Sequence, residues 1–188
     1  MISLPSSVER ANEHVLHVIQ GSFKTSGDPQ AVMMTILGSC VATCMWDPVA
    51  RVGGMNHFLL ASDPDHAEQG SRHGLNAMEL LINGLLKRGA QRHRLKAKLF
   101  GGAMMDQRFG RIGKANAEFA LAFLQNEGIP IAGQSLGGTT ARRIRFSPVN
   151  GLAQQRLLLE QNILPIMPPP EIDNDITFFK DTRDENNP

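Results

Sequence analysis

The sequence predicts an α+β domain in which mixed β-sheets pack against flanking helices. Two segments have the apolar spacing of amphipathic helices, whereas six others are short or alternating runs of strand-forming residues. Because these segments do not follow the strict βαβ order of a doubly wound sheet, we expect the sheets to be mixed. The 188 residues, 41% hydrophobic and 20% charged, have the size and composition of a single globular domain.

The six predicted strands differ in their hydrophobic pattern. Residues 33–46 are almost continuously apolar or small, which is typical of a long buried strand. In the last segment, Ile144 and Phe146 alternate with arginines, as in a half-buried strand. Gly137-Gly138 is expected to turn the chain between the last two strands. In chain order, the six segments are residues 14–20, 33–46, 52–61, 95–100, 129–136 and 140–147.

Two helices are predicted, at residues 76–88 and 114–127. Each has an apolar stripe at helical spacing, and each is followed by a glycine, Gly89 or Gly128, where a helix C-terminus favours one. The inward-facing residues of the two stripes are Met78, Leu81, Ile82, Leu85 and Leu86 in the first helix and Phe119, Ala120, Phe123 and Leu124 in the second.

Composition and charge narrow the class of protein further. Residues 1–164 are predicted to form one domain, followed by a proline-rich acidic tail over residues 165–188. The net charge is only +1, which argues against a nucleic-acid partner. No apolar run is long enough for membrane insertion, and the N-terminal residues do not form a signal-peptide pattern. With only two cysteines, four residues apart, we expect a cytoplasmic protein without a disulfide framework.

A predicted hairpin brings a cysteine towards a histidine. Residues 47–50, Asp-Pro-Val-Ala, fit a type I turn. If Trp46 and Arg51 close this loop, Cys40 lies directly opposite His57, with Cβ atoms about 4.5–5.5 Å apart. A thiol beside a base is the arrangement of an activated nucleophile. A buried structural cysteine beside a core histidine remains the alternative.

The residues around Cys40 refine this hypothesis. Strand alternation turns Ser39 away from His57. Gly38 allows a substrate to approach the backbone closely and can supply the positive φ that aims amide groups at an oxyanion. A bulge at Gly53-Gly54 would shift the register by one residue and turn His57 to the other face, so the pairing depends on a regular ladder.

At these residues the chain resembles the CheD family of chemoreceptor glutamine deamidases. The resemblance covers residues 32–151, in the family's order and spacing. It rests on the motifs LGSCVA (37–42), GGMNHFLL (53–60), NAMELLINGLLKRGA (76–90), KLFGGAMM (98–105), IGKAN (112–116) and LGGTTARRIRFSPVNG (136–151). It implies mixed sheets with flanking helices, as in the cytotoxic necrotizing factor toxins.

The resemblance also implies roles for particular residues. The family's nucleophilic cysteine falls on Cys40 and its histidine on His57. Its third residue, a threonine, falls by spacing on Met34, with Thr35 one position later. Since alternation puts these two on opposite faces, we expect either a bulge that lets Thr35 orient His57 or a different orienting group.

Further expectations concern the surroundings of the site and its partners. Gly38, Ser39 and Asn56 are expected near the substrate or the oxyanion, and His73 is expected at the rim of the site. The implied substrates are methyl-accepting chemoreceptors, and a CheC-type phosphatase is an implied second partner. The thiol chemistry requires no metal or organic cofactor.

Alternatives stay open at this stage. A non-catalytic chemotaxis adaptor would keep the binding surface without using the thiol, and related acyl-transfer chemistries would use an amine in place of water or a methyl ester as substrate. The histidines and cysteines do not have a zinc-site spacing. The basic stretch containing Arg92 and Arg94 is interpreted as a solvated face, with docking of an acidic protein surface as a further hypothesis.

Overall fold

The computed structural model describes residues 12–60, 67–105 and 110–158, and the terminal segments that include the predicted acidic tail lie outside this part. These described residues form nine strands and two α-helices. The strands are β1 (His14–His17), β2 (Ser22–Ser26), β3 (Ala31–Leu37), β4 (Val41–Asp47), β5 (Val52–His57), β6 (Lys96–Gly101), β7 (Ile131–Leu136), β8 (Arg142–Ser147) and β9 (Leu152–Leu157). The helices are α1 (Ala67–Leu86) and α2 (Gly110–Asn126).

The strands form two mixed sheets, so the predicted α+β class is confirmed. The four-stranded sheet has the order β1-β3-β8-β9, and only its β1–β3 pair is parallel. The five-stranded sheet has the order β2-β5-β4-β6-β7, and only its β6–β7 pair is parallel. Among the described residues, no helix is both long enough and apolar enough to span a bilayer.

Three layers bury the apolar residues in two cores. One core lies between the helices and the five-stranded sheet and contains Leu81 and Ile82 of α1. The other lies between the two sheets and contains Met33 and Phe146. Strand β4 lies in the middle layer, with every residue buried, because it is covered on both faces.

The prediction of one long strand over residues 33–46 is wrong. The chain leaves the four-stranded sheet at Leu37 and enters the five-stranded sheet at Val41. The apolar run is continuous because both pieces are buried, and periodicity alone does not show where a buried run changes sheet. Residues 38–40 are therefore a crossing loop between two facing sheets.

The predicted turn at Gly137-Gly138 is present, with positive φ at both glycines. It does not join a hairpin, however, because β7 and β8 belong to different sheets. Strands β2 and β9 were not predicted. Both are short and lie at sheet edges, where strands are only partly buried and leave a weak hydrophobic pattern.

The hairpin between β4 and β5 has a register two residues away from the predicted one. Asp47 pairs with Val52, so the loop is closed one residue later than expected on each strand. The side chain of Asp47 accepts hydrogen bonds from the backbone N–H groups of Val49 and Ala50, and its carbonyl accepts one from Arg51. Arg51 has a φ of 55°, which completes a four-residue loop over residues 48–51.

Asp47 also fixes the basic stretch. Arg94 donates to both of its carboxylate oxygens, and the Gln91 N–H donates to one of them. Arg92 forms an ion pair with Glu127. These two arginines are therefore held by acidic groups of the same chain, which does not support their use as free docking charges.

Candidate functional site

The loop that carries Cys40 is fixed through three consecutive carbonyl groups. The carbonyl of Gly38 accepts from the N–H of Ala103, and that of Cys40 accepts from the N–H of Gly102. The Ser39 carbonyl accepts from the side-chain amide of Asn116. Because the N–H and C=O of a trans peptide point in opposite directions, the N–H groups of Ser39 and Cys40 face away from these anchors.

Asn116 is a site residue that the sequence analysis did not single out. It is fully buried, and its side chain links two strand ends: Oδ1 accepts from the N–H of Leu60 at 2.7 Å, and Nδ2 donates to the Ser39 carbonyl at 2.9 Å. It lies within the IGKAN motif, but a polar residue inside a helical stripe gives no indication of a distant backbone partner.

Gly101 lets β6 approach the Cys40 loop. It has a φ of 113°, and an added Cβ would overlap the Cys40 carbonyl oxygen. Gly101→Ala is therefore expected to displace this loop, to lower the free energy of unfolding by about 2 kcal/mol, and to change the rate at which iodoacetamide alkylates Cys40. Both quantities are measured on the purified protein, by denaturant unfolding and by mass spectrometry.

The matched control is Gly89→Ala. Gly89 also has a positive φ, 92°, but an added Cβ would meet nothing within 4 Å. It should therefore lower stability without altering the alkylation rate. Equal alkylation rates in the Gly101 variant and the wild type would contradict this account of the loop.

His57 is oriented by a hydroxyl from the opposite sheet. Thr35 Oγ1 lies 2.9 Å from His57 Nδ1 and donates a hydrogen bond to the Val18 carbonyl at 2.8 Å. The single hydroxyl proton is used for the carbonyl, so Nδ1 must carry a proton and donate it to Oγ1. The lone pair of the imidazole is then on Nε2, which is buried and has no hydrogen-bond partner among the described residues.

This contact also corrects the expectation of a bulge. Thr35 is on β3, which pairs regularly with β1 and β8, whereas His57 is the last residue of β5 in the other sheet. Since the two sheets face each other, an inward-pointing Thr35 reaches His57 without any irregularity in its strand. Met34 points to the other face of β3 and contacts Arg145.

Cys40 and His57 share a face, although they are not directly opposed. The β4–β5 ladder pairs Cys44 with Met55, and an isolated bridge pairs Val41 with Phe58. Continued by one residue, this register puts Cys40 opposite residue 59, so His57 is its diagonal neighbour. A register error of two residues preserves the face, and diagonal neighbours are within reach of long side chains. Cys40 packs at the edge of the inter-sheet core.

Burial changes the acid–base properties of both groups in directions that favour their neutral forms. It raises the pKa of the Cys40 thiol, an effect that the Cys40 backbone N–H partly offsets. It lowers the pKa of His57, and a hydrogen bond to the Val18 backbone partly offsets this change. At neutral pH the resting pair is therefore a thiol and a neutral imidazole. The neutral imidazole then has a free lone pair on Nε2 that can accept a proton.

The remaining predicted site residues occupy different positions. Asn56 does not approach the oxyanion side of Cys40: it points to the helical face of its sheet, accepts from the Thr43 N–H and donates to the Ala77 carbonyl. Gly38 does not have a positive φ, but an added Cβ would overlap Met105 Sδ. The exposed His73 lines a cavity of 230 Å³ beside Gln20.

A larger cavity opens beside His57. It has a volume of 500 Å³, and its walls come from β1, β3 and the segment that follows β1. Its lining residues are His17, Val18, Ile19, Gln20, Met34, Thr35, Ile36, His57 and Arg143. The second cysteine, Cys44, is fully buried, and this burial raises its pKa, so it is inert. In the described part of the chain, no three His, Cys, Asp or Glu residues are grouped closely enough to hold a metal ion.

Together these features define a class of protein: an α+β sandwich with a histidine–threonine hydrogen bond between its two sheets and a cysteine at the edge of the core that the sheets enclose. A sequence model of the family CheD, described as chemotactic sensory transduction, matches residues 59–156. A Rhizobium rhizogenes protein named probable chemoreceptor glutamine deamidase CheD is 50% identical over 177 residues, covering 87% of this chain and 95% of the relative. The chain belongs to the CheD family.

A second sequence relative and a solved structure were also compared with this chain. A Cereibacter sphaeroides protein with the same name is 56% identical over 151 residues, covering 80% of this chain and 76% of the relative. Among solved structures, a Neisseria meningitidis protein of family DUF152 matches with a TM-score of 0.45 at 11% identity, covering 70% of this chain and 67% of that one. The family assignment depends on the sequence relatives.

Proposed function

We propose that this protein hydrolyses the side-chain amide of specific glutamines in chemoreceptors to glutamate, with Cys40 as the nucleophile. The observation that carries the proposal is His57: Thr35 holds its Nδ1, and its buried Nε2 has no hydrogen-bond partner in the described part of the chain. Cys40 packs at the edge of the same inter-sheet core. The names of the relatives supply the substrate, since these are called probable chemoreceptor glutamine deamidases.

The mechanism follows from the chemistry of an amide. His57 Nε2 takes the proton of Cys40, and the thiolate attacks the carboxamide carbon. The protonated imidazole then gives its proton to the departing ammonia, which would otherwise be a poor leaving group. Water, activated by the neutral imidazole, hydrolyses the thioester and releases glutamate. This chemistry requires no metal or organic cofactor.

The backbone of the Cys40 loop supports stabilisation of the oxyanion. The N–H groups of Ser39 and Cys40 point away from the loop's anchors, and the three anchored carbonyls prevent the loop from rotating. Donors that are fixed before the reaction stabilise developing charge without reorganisation. Asn56 is excluded from this role because its amide is used on the other face of the sheet.

The product accounts for a signalling role in the cytoplasm. Each conversion adds a negative charge to the receptor and creates a carboxylate that can be methylated, which shifts the balance between signalling states. A CheC-type phosphatase is the second partner that we propose, on the basis of the family.

The test uses the cytoplasmic fragment of a receptor from the same organism. Purified protein should release ammonia from the fragment and convert specific glutamines to glutamates, as followed by mass spectrometry. If the folded protein binds several receptors and converts none, the enzyme proposal fails and the adaptor function replaces it. Added primary amine distinguishes transfer from hydrolysis, because transfer attaches the amine to the glutamine.

Thr35 is proposed as a positioning residue. Thr35→Val removes the oxygen that accepts from Nδ1 while keeping the side-chain shape, so we expect kcat to fall by up to about 100-fold with little change in KM. Thr35→Ser retains the hydroxyl and should restore most of the rate. Circular dichroism confirms that each variant is folded. A rise in KM with an unchanged kcat would contradict the positioning role.

A further inference from the structure

One glutamine of this chain lies against the proposed nucleophile. Gln20 is exposed, and its Oε1 is 3.5 Å from the Sγ of Cys40, which donates to it. The thiol thus already contacts the type of group, a glutamine carboxamide, on which it is proposed to act.

The turn that carries Gln20 is part of the site. The Ser22 N–H donates to the Ile19 carbonyl, and Gly21 has a φ of 78°, as a turn with glycine at its third position requires. The Gly21 N–H donates to the His57 carbonyl at 2.8 Å, and the Val18 carbonyl accepts from Thr35 Oγ1. The backbone on both sides of Gln20 is therefore tied to the residues that would act on it.

Gln20 also separates the two cavities. It lines both the 500 Å³ cavity beside His57 and the 230 Å³ cavity that contains His73. Because Gln20 also contacts Cys40 Sγ, its carboxamide connects both cavities to the thiol. Gln20 therefore occupies the position of a substrate that is built into the chain.

We propose that Gln20 is a self-modification site, converted to glutamate by Cys40 of the same molecule. This inference depends on the proposed deamidase function. His57 takes the proton of Cys40, Sγ bonds to the side-chain carboxamide carbon of Gln20, the C–N bond breaks, and ammonia leaves with the proton that His57 returns. Water then adds to the thioester and gives its proton to His57. The S–C bond breaks, the thiol is restored, and Gln20 has become a carboxylate.

The modification would limit the activity of the enzyme. A carboxylate next to Sγ disfavours the thiolate because the two negative charges repel each other. Gln20→Glu, which imitates the product, should lower the alkylation rate of Cys40 at neutral pH by about tenfold, the loss of thiolate that one unit of pKa produces. Gln20→Met has a similar size but cannot be charged, so it serves as the matched comparison.

The experiment follows Gln20 over time in freshly purified full-length protein. Peptide mass spectrometry measures the amide-to-acid conversion at Gln20, with Gln134 on β7 as an internal control for spontaneous loss. We expect conversion about 100-fold faster than in Cys40→Ala, the scale of positioned acid–base catalysis. The rate should not depend on protein concentration, since the reaction is intramolecular.

The receptor fragment, assayed in parallel, separates the two proposals. If the receptor is converted while Gln20 stays an amide, or changes equally fast in Cys40→Ala, the self-modification proposal is overturned and the deamidase proposal stands. If neither is converted, the deamidase proposal itself fails. A rate that rises with protein concentration would assign the conversion to a second molecule and would also overturn the proposal.

Discussion

Cys40→Ala is expected to lower kcat/KM for receptor glutamine hydrolysis by at least about 10³-fold, the scale on which loss of a nucleophile acts. His57→Ala should have an effect of similar size, because the thiol is raised in pKa by burial and depends on Nε2 for its deprotonation. Residues that act as a unit are non-additive, so the double variant should be no slower than the slower single one. Ammonia release and mass spectrometry of the receptor fragment measure these rates.

Ser39→Ala is the control for this series. The loop is held at this residue through the Ser39 backbone carbonyl, which accepts from Asn116. Because the substitution keeps this carbonyl, activity should be retained. A loss of activity as large as that of Cys40→Ala would indicate that Ser39, and not Cys40, is the nucleophile.

The pH dependence of alkylation gives an independent measure of the same pair. Since the pKa of Cys40 is raised and that of His57 is lowered, the resting thiol is neutral, and its reaction with iodoacetamide should increase as the pH rises above neutrality. A fast rate that is constant down to acidic pH would indicate a preformed thiolate–imidazolium pair instead.

Asp47→Ala is expected to lower the free energy of unfolding by about 3 kcal/mol or more, the cost of breaking a buried ion pair by removing one partner. The Asp47 side chain is fully buried, whereas that of Arg94 is 24% exposed, and three backbone N–H groups also donate to the carboxylate. The substitution leaves all these donors without an acceptor. Denaturant unfolding followed by circular dichroism gives the value.

The pH dependence of the free energy of unfolding tests whether the Asp47 carboxylate is responsible for this stabilisation. Burial alone would raise the pKa of Asp47, but Arg94 and the N–H groups of Ala50, Gln91 and Val49 hold it well below its usual range. A depressed folded-state pKa adds stability above the unfolded value of about 3.9, and this stability is lost as the pH falls through the folded value. The difference in the free energy of unfolding between wild type and Asp47→Asn should therefore become smaller below about pH 4. Lys114, which pairs with the exposed Glu118, supplies a control, since Lys114→Ala should change stability by less than about 1 kcal/mol.

Several of the elements that were predicted correctly have a pattern that depends on burial of one face. The apolar stripes of α1 and α2 predicted these helices, and the alternation of Ile144 and Phe146 with arginines predicted β8. The same reasoning brought Cys40 and His57 to one face in spite of a wrong register, because the error was an even number of residues.

Other features depend on contacts that local pattern does not encode. The change of sheet at residues 38–40 is invisible in a run that is buried on both sides of the change. The bond from Asn116 to the Ser39 carbonyl joins residues 77 positions apart, and the turn at Gln20 is defined by the carbonyl of His57. Asn56 does not lie near the oxyanion side of Cys40, because adjacent strand residues point to opposite faces and Asn56 bonds to Thr43 and Ala77 instead.

Because the site is divided between the two sheets, catalysis depends on how these sheets pack against each other. Thr35 belongs to one sheet and His57 to the other, and what holds them together is the apolar layer that contains Met33 and Phe146. A transient separation of the sheets would dismantle the hydroxyl–imidazole contact before any strand unfolds. Substitutions in that layer, remote from the thiol, would thus lower the fraction of molecules that is competent to react, and turnover would decline before the loss of secondary structure became detectable.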